Sequence, residues 1–194
     1  MEHASSQIVT LNCHPQLSSP WIESLEVEAR RKVDGTLHLT YVLKGKLDHL
    51  RIPPQVPRHM GERLWEHTCF EVFIAREGKA DYYEFNFAPS LAWAAQGFKT
   101  RRERDGWTPK GWPVLVRETS ADRLVLDVEL ALDGISPLLR NAPLKLALAA
   151  VIEAEDGTQS YWALRHAGGK PDFHDPESFT LLLPVPTVKA GSQP

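Results

Sequence analysis

CFEVFIAREGKADYYEFNFA, residues 69–88, contains two segments in which apolar and polar side chains alternate on either side of a short polar turn. Because residues i and i+2 share one face of a β-strand, this alternation predicts strands with one apolar face. We therefore predict an antiparallel hairpin formed by CFEVFIA and YYEFNFA, with REGKAD between them. Each predicted strand keeps one glutamate, Glu71 or Glu84, among its aromatic residues.

The alternation assigns the side chains of this hairpin to two faces. The face that we predict to pack in the core carries Phe70, Val72, Ile74, Tyr83, Phe85 and Phe87. The opposite face carries Cys69, Glu71, Phe73, Tyr82, Glu84 and Asn86. On an outer sheet such carboxylates usually face water. The alternative is a binding site, because carboxylates, an amide and aromatic rings lie together on this face.

The same period of two recurs along the rest of the chain. Further hairpins are predicted in residues 24–45, 114–132 and 144–164, and a last short strand in residues 179–185. Helical signals are confined to SLAWAAQGF after Pro89 and to ISPLL around Pro137. About ten strands with short turns predict an all-β fold, a two-sheet antiparallel β-sandwich with one or two short helical turns.

The chain shows no internal boundary, so we predict a single domain over residues 1–194, with residues 187–194 as a frayed tail. The proline-rich residues 51–67 predict a long surface connection. A hydrophobic content of 42% and a formal charge of -3, with no run of five like charges, exclude a disordered chain and give no footprint for nucleic acid or an anionic membrane.

The first twenty residues contain no apolar run of signal-peptide length, and the two cysteines, Cys13 and Cys69, are too few for a disulfide framework. We therefore expect free thiols and a cytoplasmic location. The sequence does not predict the oligomeric state.

Tryptophans and one unusual loop favour a binding site over a solvated face. Trp93 and two other indoles fall in or beside predicted loops, and flat aromatic faces with carboxylates and amides are typical of sugar recognition. In YWALRHAGGKPDFHDPESF, residues 161–179, Lys170, Asp172 and His174 follow a Gly-Gly turn. The alternatives are that the indoles fill the core and that a Lys–Asp pair ties the loop down.

Four segments together, LWEHTCFEVFI, YYEFNFAPS, a Trp-Ala segment and YWALRHAGGKPDFHDPESF, resemble the DOMON-like domains, which are related to family 9 carbohydrate-binding modules. The resemblance covers about residues 5–185. It implies a jelly-roll type of β-sandwich that binds a ligand on one sheet or at its rim, a sugar or haem in the wider superfamily. The matching positions that it implies for a pocket are Trp65, His67, Glu71, Tyr82 or Tyr83, Glu84 and Asn86.

Cofactors are not predicted, although haem and calcium stay as alternatives. The similar haem-binding DOMON domains use a Met and a His side chain as axial haem ligands. In this sequence Met60, beside His59, is the only internal methionine. No Asp-rich loop offers calcium ligands. A zinc site would need at least one ligand in addition to His67 and Cys69. The candidates for that further ligand are His166 and His174.

Our prediction from the sequence is a non-catalytic domain that binds a carbohydrate or another polyhydroxylated molecule. In it Glu71, Glu84 and Asn86 bond hydroxyl groups, Trp65 and Trp93 offer stacking faces, Lys170, Asp172 and His174 close the rim, and Arg165 orients any acidic group. One rival is a scaffold or protein-interaction domain whose polar face is solvated. Another is a glycoside hydrolase, because neighbouring strands can place two carboxylates about 5–9 Å apart.

Overall fold

In the computed structural model, which describes residues 2–3, 5–17 and 19–188, the alternating segments form β-strands. The strands in this part of the chain are β1 Glu2–His3, β2 Ser5–Thr10, β3 Asn12–Cys13, β4 Ile22–Arg31, β5 Thr36–Gly45, β6 His59–Met60, β7 Cys69–Arg76, β8 Tyr82–Phe87, β9 Ala92–Thr100, β10 Glu103–Arg104, β11 Val114–Thr119, β12 Arg123–Ala131, β13 Leu144–Glu153, β14 Gln159–Ala163, β15 Leu181–Leu183 and β16 Thr187–Val188. Helical structure in the described residues is limited to α1 Leu132–Ile135 and to 3-10 turns at Leu47–His49, Leu64–Glu66, Pro137–Leu139 and Pro176–Ser178.

Two sheets pack face to face, which confirms the predicted β-sandwich. The smaller sheet has the order β11-β12-β5-β4-β2 and is antiparallel throughout. The larger sheet has the order β10-β9-β8-β7-β13-β14-β3, and β15 also pairs with β13. Its one parallel pair joins β6 to β9. A separate two-stranded ladder joins β1 to β16.

The core lies between the sheets and is built from the apolar face of each alternating strand. Five of the six side chains predicted for the core face of the 69–88 hairpin are buried there: Phe70, Val72, Ile74, Phe85 and Phe87. Tyr83 is partly buried and packs against the same cluster. From the smaller sheet, the Tyr41 hydroxyl donates a hydrogen bond to the backbone carbonyl of Glu71 at 3.0 Å. This bond fixes β7 against the opposite sheet.

A second apolar cluster covers the outer face of the larger sheet. It contains Phe73, Ala75, Tyr82, Phe98, Ala147, Ala149, Ala163 and Phe179, with Phe173 packed against it. Phe173 and Phe179 belong to residues 164–180, which connect β14 to β15 and which we call the cleft loop. Because this loop lies over the sheet, β7 is buried on both of its faces from Cys69 to Ala75.

Arg31, at the end of β4, is a fully buried cation that joins distant parts of the chain. Its guanidinium donates hydrogen bonds to backbone carbonyls of Ala142, Leu183, Pro184, Leu139 and Arg140. No carboxylate within the described residues pairs with it, so the carbonyl dipoles alone compensate its charge. The alternation of β4 places Arg31 on the same inward face as Leu25 and Val27.

The structure corrects one secondary-structure prediction. SLAWAAQGF, predicted to be helical, lies largely in β9, which pairs with β8 along its length. Alanine favours helices, but pairing with neighbouring strands decides the conformation here. Gly97 is needed in this strand because a Cβ atom there would lie 2.5 Å from Asp105 Oδ1 and 2.7 Å from Trp107 Cβ.

Other predictions on element boundaries have mixed outcomes. The helical turn at ISPLL is present, at α1 and at the following 3-10 turn. Of the predicted tail, residues 187–188 form β16 and the rest lies outside the described residues. Residues 51–67 contain only β6 and one 3-10 turn. No helix in the described ranges is long and apolar enough to cross a membrane.

Candidate functional site

A cleft of about 320 Å³ opens on the outer face of the larger sheet, beneath the cleft loop. Its floor is formed by strand residues Glu71, Phe73, Glu84, Gln96, Phe98 and Val151. Its walls and mouth are formed by Trp65, Tyr161, Pro171, Phe173, His174, Arg102 and Arg104. Polar groups at the floor and aromatic rings around them are the usual composition of a small-molecule site.

The register of β7 and β8 brings the two predicted glutamates to this floor. Glu71 pairs with Asn86 and Phe73 pairs with Glu84, so the glutamates are diagonal neighbours on one face of the sheet. Diagonal neighbours of this kind lie about 7–8 Å apart. Glu71 is 3% exposed and Glu84 is 6% exposed, although both line the cleft. The face is therefore not open to bulk water.

Glu84 accepts a hydrogen bond from Asn86 and lies near His174. Asn86 Nδ2 donates to Glu84 Oε1 at 2.6 Å, and Asn86 is itself fully buried. His174 Nε2 lies 3.7 Å from the other carboxyl oxygen, Oε2. Burial raises the pKa of Glu84, and the hydrogen bond from Asn86 and the charges of Arg104 and Arg102 offset part of that rise.

Glu71 lacks such support. Its Oε1 atom is buried and has no hydrogen-bond partner among the described residues. Burial raises the pKa of Glu71 well above its ordinary range, and the neighbouring charge of Glu84 raises it further. Because two buried carboxylates this close repel each other, ionisation of one makes ionisation of the other less favourable.

His174 and Tyr82 form a hydrogen-bonded pair beside the glutamates. Tyr82 Oη lies 2.8 Å from His174 Nδ1 and also accepts a hydrogen bond from the backbone N–H of Arg102 at 3.1 Å. Burial and the charge of Arg102 lower the pKa of His174 to about 4, so the imidazole is neutral at pH 7. In the tautomer with the ring proton on Nε2, the tyrosine hydroxyl donates to Nδ1 and the Nε2–H group faces Glu84.

Asp172 anchors the cleft loop to the turn between β9 and β10. Its carboxylate accepts hydrogen bonds from Arg101 at 2.5 Å and from Arg102 at 2.9 Å, and from the backbone N–H of His174 at 3.1 Å. Burial alone would raise the pKa of Asp172, but the hydrogen bonds from the two arginines outweigh it and lower the pKa. The anchor holds His174 over the floor. The sequence left a Lys–Asp pair open for this loop, but in the structure Asp172 pairs with the two arginines instead.

Most of the predicted site residues converge on the cleft, and four do not. Trp65, Glu71, Glu84 and His174 line it, and Tyr82, Asn86 and Asp172 hold those residues in place. His67 instead bonds Glu153 at 2.8 Å, and Arg165 bonds Glu177 at 2.7 Å, both outside the cleft. Lys170 is exposed and does not line it.

The expected stacking role of Trp93 is corrected. Its indole is fully buried in the core between the sheets, so it has no face to present to a ligand. Trp93 pairs with Phe87 across the β8–β9 ladder and shares its inward orientation. The aromatic rings that line the cleft beside Trp65 are Phe73, Phe98, Tyr161 and Phe173.

Several cleft residues escaped the sequence analysis. Gln96 and Phe98 alternate with Gly97 in β9 and share the face of Glu84, a signal hidden by the helical interpretation of this segment. Arg102 and Arg104 lie in a charged run that resembles an ordinary surface turn. Arg104 pairs with Phe98 in the β9–β10 ladder, which brings it to the cleft mouth.

The arrangement offers hydrogen-bonding groups and aromatic surface rather than a metal site. In the part of the chain that the structure describes, no group of three or more His, Cys, Asp and Glu side chains could hold a metal ion. Cys69 is buried beside Asn86, and this burial raises its pKa well above the ordinary value, so its thiol stays protonated. His59 and Met60, considered for haem, lie on β6 away from the cleft lining.

Comparisons with known proteins support the fold. The sequence matches no protein-family model and no curated protein. The structure is similar to the crystal structure of a "putative carbohydrate-binding protein" from Bacteroides uniformis ATCC 8492, with a TM-score of 0.64 and 17% sequence identity. The alignment covers 89% of this chain and 84% of that chain. At this identity the likeness shows a shared β-sandwich fold.

Proposed function

We propose that this protein is a binding domain for a carbohydrate or another polyhydroxylated small molecule, which occupies the cleft beneath the cleft loop. The observation that carries the proposal is the buried Glu71 carboxyl, whose Oε1 atom has no protein partner among the described residues. An unsatisfied buried polar atom costs about 1–3 kcal/mol, and a ligand hydroxyl would remove that cost. The similar protein from Bacteroides uniformis supports a sugar as the ligand.

The lining of the cleft suits a sugar ring. Glu71, Glu84 and Gln96 offer groups that accept or donate hydrogen bonds to hydroxyls from the floor. Trp65 is 36% exposed at the mouth and offers a flat face for the apolar C–H side of the ring. A volume of about 320 Å³ is at the small end for ligand sites and fits one or two rings.

Finer features belong to the same proposal. We place the chain among the DOMON-like domains related to family 9 carbohydrate-binding modules, with a jelly-roll arrangement of its strands and a cytoplasmic location. The proposed partner is a small sugar-like molecule and not nucleic acid or a membrane. Asp172 and His174 close the rim through the loop anchor at Arg101 and Arg102.

Tryptophan fluorescence provides the test. The protein is titrated with D-glucose, D-galactose, D-mannose, N-acetyl-D-glucosamine, cellobiose and xylobiose. At least one of them should give a saturable change, and Trp65→Phe should remove it because only that indole lines the cleft. Glu84→Ala should weaken binding about tenfold or more, since hydrogen bonds to a charged group contribute about 1.5–3 kcal/mol.

Glu118→Ala is the matched control, because Glu118 is an exposed glutamate on β11 in the other sheet. It should bind as the wild type does. If no sugar in the panel changes the fluorescence, or if Glu84→Ala folds and binds like the wild type, the proposal is wrong.

A further inference from the structure

The two cleft glutamates differ in their surroundings. Glu84 Oε1 accepts a hydrogen bond from Asn86 Nδ2 at 2.6 Å, and His174 Nε2 lies 3.7 Å from Glu84 Oε2. Glu71 Oε1 faces no donor among the described residues. The hydrogen bond from Asn86 favours the ionised form of Glu84, and the lack of a donor favours the protonated form of Glu71. One cleft thus presents a carboxylic acid and a carboxylate side by side, which is the arrangement of a general acid and a general base.

The side from which the two glutamates reach a ligand limits the reactions that they could catalyse. Glu71 and Glu84 come from neighbouring strands and lie on the same floor, so both reach a ligand from one side. Glycoside hydrolysis needs its two carboxyl groups on either side of the scissile bond. A reducing sugar instead carries two oxygens on one carbon, the ring oxygen O5 and the hydroxyl oxygen O1. Two carboxyl groups on one side can reach both of these oxygens.

We propose that Glu71 and Glu84 interconvert the α and β anomers of a reducing monosaccharide bound in the cleft. This activity goes beyond the proposed binding function and rests on it. Glu71 is the general acid for O5, and Glu84 is the general base for the O1 hydroxyl.

The steps balance without any co-reactant. Glu84 takes the proton from the O1 hydroxyl, the O1–H electron pair forms a carbonyl at C1, the C1–O5 bond breaks, and O5 takes the proton of Glu71. The aldehyde then rotates about the C1–C2 bond. On closure Glu71 takes the proton back from the O5 hydroxyl, O5 attacks the other face of the carbonyl, and Glu84 returns its proton to O1. Both glutamates end in their starting protonation states.

Polarimetry tests the inference on freshly dissolved α-D-glucose and α-D-galactose at pH 7. The wild-type protein should accelerate mutarotation of at least one sugar above the buffer rate, in proportion to protein concentration. Glu71→Gln and Glu84→Gln should each lower the protein-dependent rate about 100-fold or more, the usual contribution of a general acid or base. Glu118→Gln should keep the wild-type rate, because this glutamate is remote from the cleft.

Binding measured in parallel by tryptophan fluorescence separates the two proposals. A sugar that binds but mutarotates at the buffer rate would overturn the anomerase inference and leave the binding function standing. Absence of binding by every sugar would overturn both. An acceleration that survives in Glu71→Gln would also overturn the inference. Glutamine keeps the shape of a protonated glutamate, so the Glu71→Gln variant should fold. If circular dichroism shows that it does not, the Glu71→Asp variant is measured instead, and its mutarotation rate should also be reduced.

Discussion

Arg31 and Glu71 are both buried ionisable side chains, and they differ in how completely the protein satisfies them. The Arg31 guanidinium donates to five backbone carbonyls. The Glu71 carboxyl has a buried oxygen with no partner among the described residues. Burying a polar group is costly unless it is hydrogen-bonded. The comparison indicates that Arg31 stabilises the fold, whereas the unpaired oxygen of Glu71 is consistent with the proposed binding of a ligand.

The locations of the two groups agree with this division. Arg31 joins the end of β4 to residues 139–142 and to residues 183–184, which are more than 100 positions away in the sequence. It lies among the elements that close the sandwich. Glu71 lies on the other side of the larger sheet, at the floor of a cleft. Its side chain lines the cleft and is not part of the apolar cluster that joins the two sheets.

Replacement of both residues by methionine tests the comparison, and Arg31→Met should have the larger effect. It removes the donors of several buried carbonyls at once, and each orphaned group costs about 1–3 kcal/mol. We expect the free energy of unfolding in urea to fall by about 3 kcal/mol or more. Arg30→Met is the control, because Arg30 is the next residue along β4 but points outward and pairs with Glu28 at the surface. That change should stay below about 1 kcal/mol. If the two variants lost the same free energy of unfolding, the structural role assigned to Arg31 would be wrong.

Glu71→Met should have a smaller effect, and in the opposite direction. Replacing a poorly compensated buried ionisable group by an apolar one is often neutral or stabilising, here by about 1 kcal/mol at pH 7. The effect should depend on pH. The folded-state pKa of Glu71 lies above its ordinary value of 4.5. Between these two pKa values the folded protein keeps the proton on Glu71, whereas the unfolded chain has released it. The wild type therefore loses stability as the pH rises above about 4.5, and the variant does not share this loss.

Urea unfolding of both proteins at pH 4 and pH 7 measures this difference, and the comparison cancels the contributions of His174 and Asp172, which both proteins share. The stability advantage of Glu71→Met should be larger at pH 7 than at pH 4. The same variant should lose sugar binding. A variant that is less stable than the wild type by several kcal/mol at pH 7 would show that Glu71 supports the fold.

Much of the fold could be predicted because alternation assigns strand faces directly. The assignment of Phe70 and Phe85 to the core, and of Glu71 and Glu84 to the opposite face, needs only the period of two. β9 was missed because its alanines suit a helix as well as a strand, and pairing with β8 is a tertiary interaction.

The cleft itself depends on contacts between distant segments. The link between Asp172 and Arg102 spans seventy positions, and no local pattern indicates it. Trp93 was assigned to a site because β9 was not recognised as a strand, although alternation places its indole in the core. Sequence patterns therefore predicted the acidic floor, and the arginines and aromatic walls required the folded chain.

Carbon-13 NMR of the glutamate side-chain carboxyls tests the central claim most directly. The protein is labelled at glutamate, titrated with acid and base, and compared with Glu71→Gln to assign the resonance of Glu71. We predict that this resonance keeps the chemical shift of a protonated carboxyl to a clearly higher pH than the resonance of an exposed glutamate, because burial and the charge of Glu84 both raise its pKa. A Glu71 carboxyl that ionises near its ordinary pKa of 4.5 would show that the floor of the cleft is open to water. That result would contradict both the proposed binding site and the proposed acid–base pair.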